Sequence, residues 1–361
     1  MNTEKAIRKE KFQKAKKEIK ERQKEADEAL NLNNYLKSFN WMFISPLLTK
    51  KEVKKLKECT DKEAVFKVCA TVFYDLRATT HLIDGGFKEC SHIKPFCQLI
   101  DQAVFMCLQK DYAGAINVLI PVIEGVMRHY LINERGKTNE KIMKAEDLLK
   151  IFEDHYLVKD YKKKQKQYYK KQKNPSFTDG QIDELLKLEI VYFKCWLEMI
   201  KEYFKNNLFM DTRDGSVDDK LNRHSILHSF NVEVYYNLEN FLKVFNALSF
   251  LRFVFTLTDS TQHISVNTSN EDIIYKWQAF EKVREISRYT DEIKASVYSK
   301  YQGFDEDKFK KKLYANRIEY RMKHLKTQSL DTRLKIIELI FEDMQRDDIS
   351  ISILLTKLLK K

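Results

Sequence analysis

The stretch of this chain best suited to chemistry contains an arginine and a histidine with four residues between them. Arg223 is followed by His224 and, after three more positions, by His228, within the sequence DKLNRHSILHSF of residues 219–230. Histidine has an unperturbed pKa of about 6.5 and can give or take a proton near neutral pH. Arginine presents a permanently charged planar fork that matches phosphate oxygens. These two residue types together suit proton transfer beside a phosphate group.

The spacing resembles the R-x4-6-H motif of the HEPN superfamily, in which a polar residue directly follows the arginine. An upstream segment, Ala115 to Arg128, is similar to a helix of the form A-x-x-L-L-x-P-x-I-E-x-x-x-R in bacterial members, with Val118 in place of the first leucine. Glu124 and Arg128 are four positions apart and therefore share one helical face. They are either an ordinary surface pair or support for an active site.

The resemblance implies a metal-independent endoribonuclease that works as a homodimer, in which two motifs face one composite cleft. In that reading His228 is the general acid or base and Arg223 stabilises the phosphate in the transition state. Asn222 and His224 orient the catalytic pair or bind RNA. The expected products carry a 2′,3′-cyclic phosphate and a 5′-hydroxyl. Two histidines are needed, since one cannot be acid and base on the same phosphate at once.

The same resemblance implies a role in phage abortive infection or toxin-type growth arrest. An antitoxin or an activating partner is compatible with that role. We expect no cofactor and no metal, since His224 and His228 lack an acidic third ligand nearby. The sequence departs from many members at Ser229, where they have glycine, and has Phe230 where some toxins carry a modified tyrosine. The alternative is a non-catalytic HEPN-type protein that binds RNA or serves as a scaffold.

Lysine and tyrosine alternate in the segment of residues 159–173. Lysines can neutralise phosphates while tyrosines stack on unpaired bases, which suits single-stranded RNA. The alternative is a solvated insertion without a ligand. The candidate RNA-binding residues are Lys162, Lys163, Lys164, Tyr168, Tyr169, Lys170 and Lys171.

Composition favours an all-α protein with an anionic partner. The 361 residues include only 8 Gly and 4 Pro, so long helices with few tight turns are expected, and the net charge of +12 favours nucleic acid. The 6 Cys form no C-x-x-C pair, which indicates free thiols in a reducing compartment. The charged N-terminus lacks the apolar core of a signal peptide, and polar residues interrupt the apolar run of residues 241–257. We expect a cytoplasmic protein without a membrane partner.

The chain order suggests four parts. Residues 1–88 form a basic helical module, and residues 89–257 form a HEPN-like domain built on a four- to five-helix bundle. Residues 258–270 are a polar linker, and residues 271–361 form a helical C-terminal module.

Apolar spacing predicts the individual helices. One covers residues 61–83 and ends at Gly85-Gly86, and a second, amphipathic helix covers residues 140–156. Two strongly apolar helices cover residues 182–204 and 232–257. Residues 3–30 have few apolar positions, so they form either a solvated helix or an arm that orders on a partner.

Overall fold

The protein is all-α in the part of the chain that the structure describes. Of those residues 88% are helical, and none is in a strand. The computed structural model describes residues 2–41, 48–135, 145–171, 177–209, 226, 235–258, 270–287 and 337.

Eleven α-helices fall within these residues. They are α1 Asn2–Lys37, α2 Lys50–Glu58, α3 Lys62–Phe73, α4 Leu76–His81, α5 Cys97–Leu108, α6 Tyr112–Arg135, α7 Ala145–Leu149, α8 Lys159–Lys171, α9 Asp179–Asn206, α10 Leu238–Thr258 and α11 Asn270–Ser287. Short 3₁₀-helices cover Lys94–Phe96 and Lys150–Phe152, and π-helical turns cover Leu82–Phe87 and Asp154–Val158.

Helix α10 is the centre of the core. It packs against α3, α6, α8 and α9, and most of its residues are buried, including Phe241, Phe250 and Phe255. Its buried polar side chains find partners nearby, as when the Arg252 Nε donates to the Gly86 carbonyl at 3.3 Å. The apolar helix predicted for residues 232–257 is confirmed from Leu238 onward, but its predicted start was six residues too early, because the chain bends at residues 236–237.

Helix α1 runs along α9 and is not simply solvated. Phe12, Ile19 and Ala26 are spaced seven residues apart, which places them on one side of the helix, and all three are buried. The lysines and glutamates on the other sides remain largely exposed. The expectation of a solvated helix or a free arm therefore missed a buried seam along this segment.

Side chains begin several helices by accepting backbone hydrogen bonds. Asp111 accepts from Gly114 N at 2.9 Å before α6. Thr178 and Gln181 form a reciprocal capping box at the start of α9. This box explains why α9 begins three residues earlier than the apolar spacing suggested.

Two predicted helices are broken where the sequence suggested continuity. The segment of residues 61–83 divides at Asp75, whose side chain caps α4 by accepting from Ala78 N. Gly85-Gly86 does not end a helix, because both glycines lie within a buried π-helical turn. The predicted helix of residues 140–156 consists, in its described part from residue 145, of short pieces, with Tyr156 in a non-helical conformation (φ −113°, ψ −105°).

The chain divides into two compact units, Met1–Trp277 and Gln278–Lys361. The first contains α1 to α10. Of the second, the structure describes residues 278–287 and 337. The four-part division proposed from the sequence stays a prediction.

Two of the described helices are long and apolar enough to cross a membrane. They are the stretch Tyr112–Asn133 of α6, with 56% of its most apolar window buried in the protein, and α10, with 78%. Length and composition alone are weak grounds for a membrane span, because core helices share them.

Candidate functional site

Within the predicted catalytic motif, residues 222–228, the structure describes Ile226. Arg223, His228, Asn222 and His224 lie outside the described residues. Ile226, between the arginine and the catalytic histidine, is helical and fully buried. The middle of the motif is therefore anchored in the core.

A tyrosine and an asparagine link this anchor to helix α6. The Tyr236 hydroxyl donates to the Ile226 carbonyl oxygen at 2.8 Å. The Asn117 side-chain amide, on α6, donates to the same tyrosine oxygen at 3.3 Å. The backbone of the motif is thus connected to α6 by two consecutive hydrogen bonds.

Glu124 and Arg128 lie on the face of α6 that carries Asn117. They follow Asn117 by seven and eleven positions, so at 100° per residue both are within about 20° of it around the helix axis. The Arg128 guanidinium and the Glu124 carboxylate are 3.5 Å apart, and their side chains are 34% and 13% exposed. This long, partly exposed contact contributes little stability as an ion pair.

The predicted RNA-binding segment forms helix α8, and its residues fall into two groups. Lys162, Lys163, Lys170 and Lys171 are exposed, as is Tyr168, whose side chain is 56% exposed. Tyr169, by contrast, is buried, and Lys164 is half-buried, its ammonium donating to the Thr256 carbonyl at 3.0 Å. Tyr169 therefore packs within the protein instead of presenting its ring to solvent.

A buried glutamate of α9 organises the region beneath α8. Glu189 is 1% exposed and accepts hydrogen bonds from Tyr161 at 2.5 Å and from Tyr169 at 2.6 Å. The Arg22 guanidinium, on α1, donates to the same carboxylate at 2.6 Å. One carboxylate thus binds side chains from both α1 and α8.

The electrostatics of this cluster keep each group in its hydrogen-bonding form. Burial raises the pKa of Tyr161 and Tyr169 above the usual tyrosine range, and the negative charge of Glu189 adds to that effect. Burial alone would lower the pKa of Arg22, but the Glu189 carboxylate outweighs it and the pKa is raised. Arg22 also lies over the Tyr192 ring, 5.2 Å from its centroid. We expect the tyrosines to stay protonated donors and the arginine to stay charged.

A cleft of about 580 Å³ lies above this cluster, between α1 and α8. Its basic lining residues are Lys11, Lys14 and Arg22 of α1 and Lys164 of α8. Its acidic lining residues are Glu18 and Glu189, and the latter is paired with Arg22. Tyr168 and Phe177 supply aromatic surface. The cleft is suited to an anionic ligand with planar groups.

The sequence did not single out Arg22 or Glu189. Glu189 could have been noticed as a carboxylate within the apolar run of α9, beside Leu185 and Leu186. Buried carboxylates need partners, so its position alone indicated a hidden cation or donor. Arg22 gave no such signal, because it lies among many lysines and arginines of α1.

The cysteines have the properties of buried structural thiols. Five are buried and Cys195 is half-buried, and all six are free. Burial raises the pKa of both Cys69 and Cys97 to about 12, which keeps them protonated. Among the residues that the structure describes, no group of three or more His, Cys, Asp or Glu side chains could hold a metal ion.

Comparisons of this chain with models of known protein families, with curated proteins and with solved structures found no match.

Proposed function

We propose that the protein is a metal-independent endoribonuclease whose catalytic residues are Arg223 and His228. The observation that carries this proposal is the link from Ile226, within the motif, through Tyr236 to Asn117 on α6. That helix face also carries Glu124 and Arg128, the two residues that the family resemblance associates with the motif. Two separate parts of the resemblance thus connect to the same face of one helix.

The proposed reaction is attack of the RNA 2′-hydroxyl on the adjacent phosphate. His228 takes the proton from the hydroxyl, and Arg223 holds the charge that develops on the phosphate oxygens. The leaving 5′-oxygen takes a proton from the corresponding histidine of a second copy of the chain. The reaction leaves a 2′,3′-cyclic phosphate and a 5′-hydroxyl, and it needs a homodimer because each copy supplies one histidine.

Glu124 and Arg128 have a supporting role in this proposal. An Arg128→Gln variant should change the free energy of unfolding by no more than about 0.5 kcal/mol, because the pair is long and partly exposed. It should nevertheless reduce cleavage if the pair orients the motif. Lys67→Gln is a suitable control, since Lys67 and Glu63 form an exposed pair of the same length on α3.

A second candidate is a non-catalytic HEPN-type protein that binds RNA or serves as a scaffold. The basic and aromatic lining of the cleft between α1 and α8 favours this candidate, because binding needs no proton transfer. The biological role that we propose for either activity, phage defence or growth arrest in the cytoplasm with an antitoxin or activator as partner, derives from the family resemblance.

The deciding experiment incubates the purified full chain with a mixed RNA pool in the presence of EDTA. Wild type is compared with Arg223→Ala and His228→Ala, and the ends of the products are analysed. We expect cleavage by wild type alone, leaving cyclic phosphates, and sedimentation should show a dimer. Equal cleavage by all three proteins would exclude the assigned residues, and intact RNA bound by wild type would favour the second candidate.

A further inference from the structure

We propose that the cleft between α1 and α8 is the docking site for single-stranded RNA. In this arrangement Tyr168 stacks on a base, while Lys11 and Lys14 of α1 bind the phosphates on either side of it. The inference deepens the proposed function and rests on it in taking RNA as the ligand. It assigns binding to a surface made of described residues, separate in sequence from Arg223 and His228.

The walls of the cleft are rigidly connected. Arg22 joins α1 to Glu189, and Tyr161 and Tyr169 join α8 to the same carboxylate. Lys16 of α1 also pairs with Glu184 of α9. Because these bonds join protein side chains to one another, RNA does not have to order the two walls when it binds, which lowers the entropic cost of binding.

Aromatic packing continues from the core to the rim of the cleft. Phe177 contacts Phe12 edge-on at 6.4 Å and Tyr169 at 5.9 Å, measured between ring centroids. Tyr168 contacts Tyr169 in the same manner at 5.3 Å and is the one ring of this series that is mostly exposed. The series holds Tyr168 from behind and leaves its ring accessible for stacking.

The charge of the cleft suits a phosphate backbone. Glu189 is paired with Arg22, and the other charged residues of the lining are Lys11, Lys14 and Lys164 against Glu18. Lys14 is exposed and Lys11 is half-buried. Helix α8, which forms one wall of the cleft, carries further exposed lysines, and their charge would attract RNA to this part of the protein.

The size of the cleft and its exposed ring favour a single strand over a duplex. A volume of about 580 Å³ is that of a small-ligand site and accommodates a short piece of one strand. Bases can stack on Tyr168 only when they are unpaired, because a duplex stacks its bases inside. The ligand class is therefore unpaired RNA with little dependence on sequence.

The test measures binding of a fluorescein-labelled 2′-O-methyl oligouridine to the full chain by fluorescence anisotropy. The methyl group blocks attack by the 2′-oxygen, so binding is measured without cleavage. The key variant is Lys11→Gln/Lys14→Gln. Its matched control is Lys9→Gln/Lys20→Gln, which removes the same charge from exposed positions of α1. Lys20 follows Lys11 by nine residues and thus lies on the opposite side of the helix.

We expect the Lys11→Gln/Lys14→Gln variant to bind about tenfold more weakly near physiological salt. The slope of log K against log salt concentration should become shallower by about 1.4, since two phosphate contacts are lost. The control pair should stay within about twofold of wild type. Tyr168→Ala should weaken binding about fivefold or more, whereas Tyr168→Phe, which keeps the ring, should not. A duplex of the same length should bind more weakly than the single strand.

Equal weakening by the two double variants would overturn the proposal, because it would reduce the effect to net charge. Wild-type affinity in both Tyr168→Ala and Lys11→Gln/Lys14→Gln would overturn it as well. These outcomes are independent of cleavage. If wild type does not cut RNA, but the Lys11, Lys14 and Tyr168 variants bind it more weakly, the result supports the cleft and contradicts the nuclease. If wild type cuts RNA and these variants bind it as tightly as wild type, the result supports the nuclease and contradicts the cleft.

Discussion

The guanidinium of Arg22 and the carboxylate of Glu189 lie 2.6 Å apart, although 167 positions separate them in the sequence. The pair connects the first helix to α9, the helix against which both α1 and α8 pack. Two tyrosine hydroxyls, those of Tyr161 and Tyr169, also donate hydrogen bonds to this carboxylate. The most buried carboxylate beneath the cleft is thus also the residue that holds its walls together.

Replacing Glu189 should destabilise the protein more than replacing Arg22. Glu189→Gln leaves Arg22 without its anion and faces two tyrosine donors with an amide that has one acceptor oxygen instead of two, and we expect a loss of about 3 kcal/mol in the free energy of unfolding. Arg22→Gln should cost about 2 kcal/mol, because Glu189 keeps both tyrosine donors and the Arg22 side chain is already 39% exposed. Urea denaturation measures both losses.

The control for these variants is Lys16→Gln, which removes a more exposed ion pair between the same two helices. Its cost should stay below about 1 kcal/mol. A double-mutant cycle on Arg22 and Glu189 should give a coupling energy above about 1 kcal/mol, and a coupling near zero would contradict the importance of the pair.

Lys276 should be a major stabilising residue of the first unit. Its ammonium contacts Asp84 at 2.7 Å and Asp101 at 2.7 Å, and Asp84 is 2% exposed. Lys276→Met would leave these carboxylates short of a cation, with an expected loss of about 3–5 kcal/mol. Lys88→Met should cost less, since Lys88 is 44% exposed although it also contacts Asp84. Equal losses in the two variants, measured by urea denaturation, would contradict this ranking.

Asp101 should make the stability of the protein fall with rising pH in the acidic range. Burial raises the pKa of Asp101, an effect that the nearby Lys276 opposes without cancelling it. The folded state therefore holds the proton more tightly than the unfolded state, so this contribution to stability is full at low pH and is lost as pH rises above about 4. The measurement is the difference in unfolding free energy between wild type and Asp101→Asn as a function of pH. A difference that grows in favour of wild type with rising pH would refute the assigned sign.

Tyr236 should position the motif without taking part in the reaction. Tyr236→Phe removes the hydroxyl that donates to the Ile226 carbonyl, with an expected stability loss of about 1 kcal/mol. If Arg223 and His228 are catalytic, the rate of RNA cleavage should fall by about tenfold or more, because small displacements of catalytic groups are costly. Tyr275→Phe, at a position that is 79% exposed, should leave both quantities unchanged. If Tyr236→Phe cleaved RNA at the wild-type rate, the hydrogen bond from Tyr236 to Ile226 would have no role in positioning the motif.

The helical class and the longest helices were predictable because they depend on local patterns. The scarcity of glycine and proline predicted the all-α class, and apolar spacing located the ends of α9 to within three residues and those of α10 to within six. Gly85-Gly86 was misinterpreted, because a glycine pair usually ends a helix. Here a β-carbon on Gly86 would lie 3.2 Å from Leu82 and 3.4 Å from Arg252, so the tight packing of α10 explains the glycine.

The contacts that build the cleft could not be predicted in the same way. The pairing of Arg22 with Glu189 depends on the distant packing of α1 on α9, and nothing in the local sequence distinguishes Arg22 from its basic neighbours. The interleaving of lysine and tyrosine in α8 drew attention to the segment. It could not show that Tyr169 faces Glu189 while Tyr168 faces solvent, since the two residues are adjacent.

The packing of α1 on α9 also sets the order in which the protein can form during synthesis. The ribosome makes Arg22 long before Glu189, and at typical elongation rates the delay is roughly 10–30 s. Throughout that time Phe12, Ile19 and Ala26 have no α9 to cover them, so the apolar side of nascent α1 stays exposed. The cleft cannot form until α9 has been translated, and a chain truncated before Glu189 would carry the lysines of α1 without the surface that organises them.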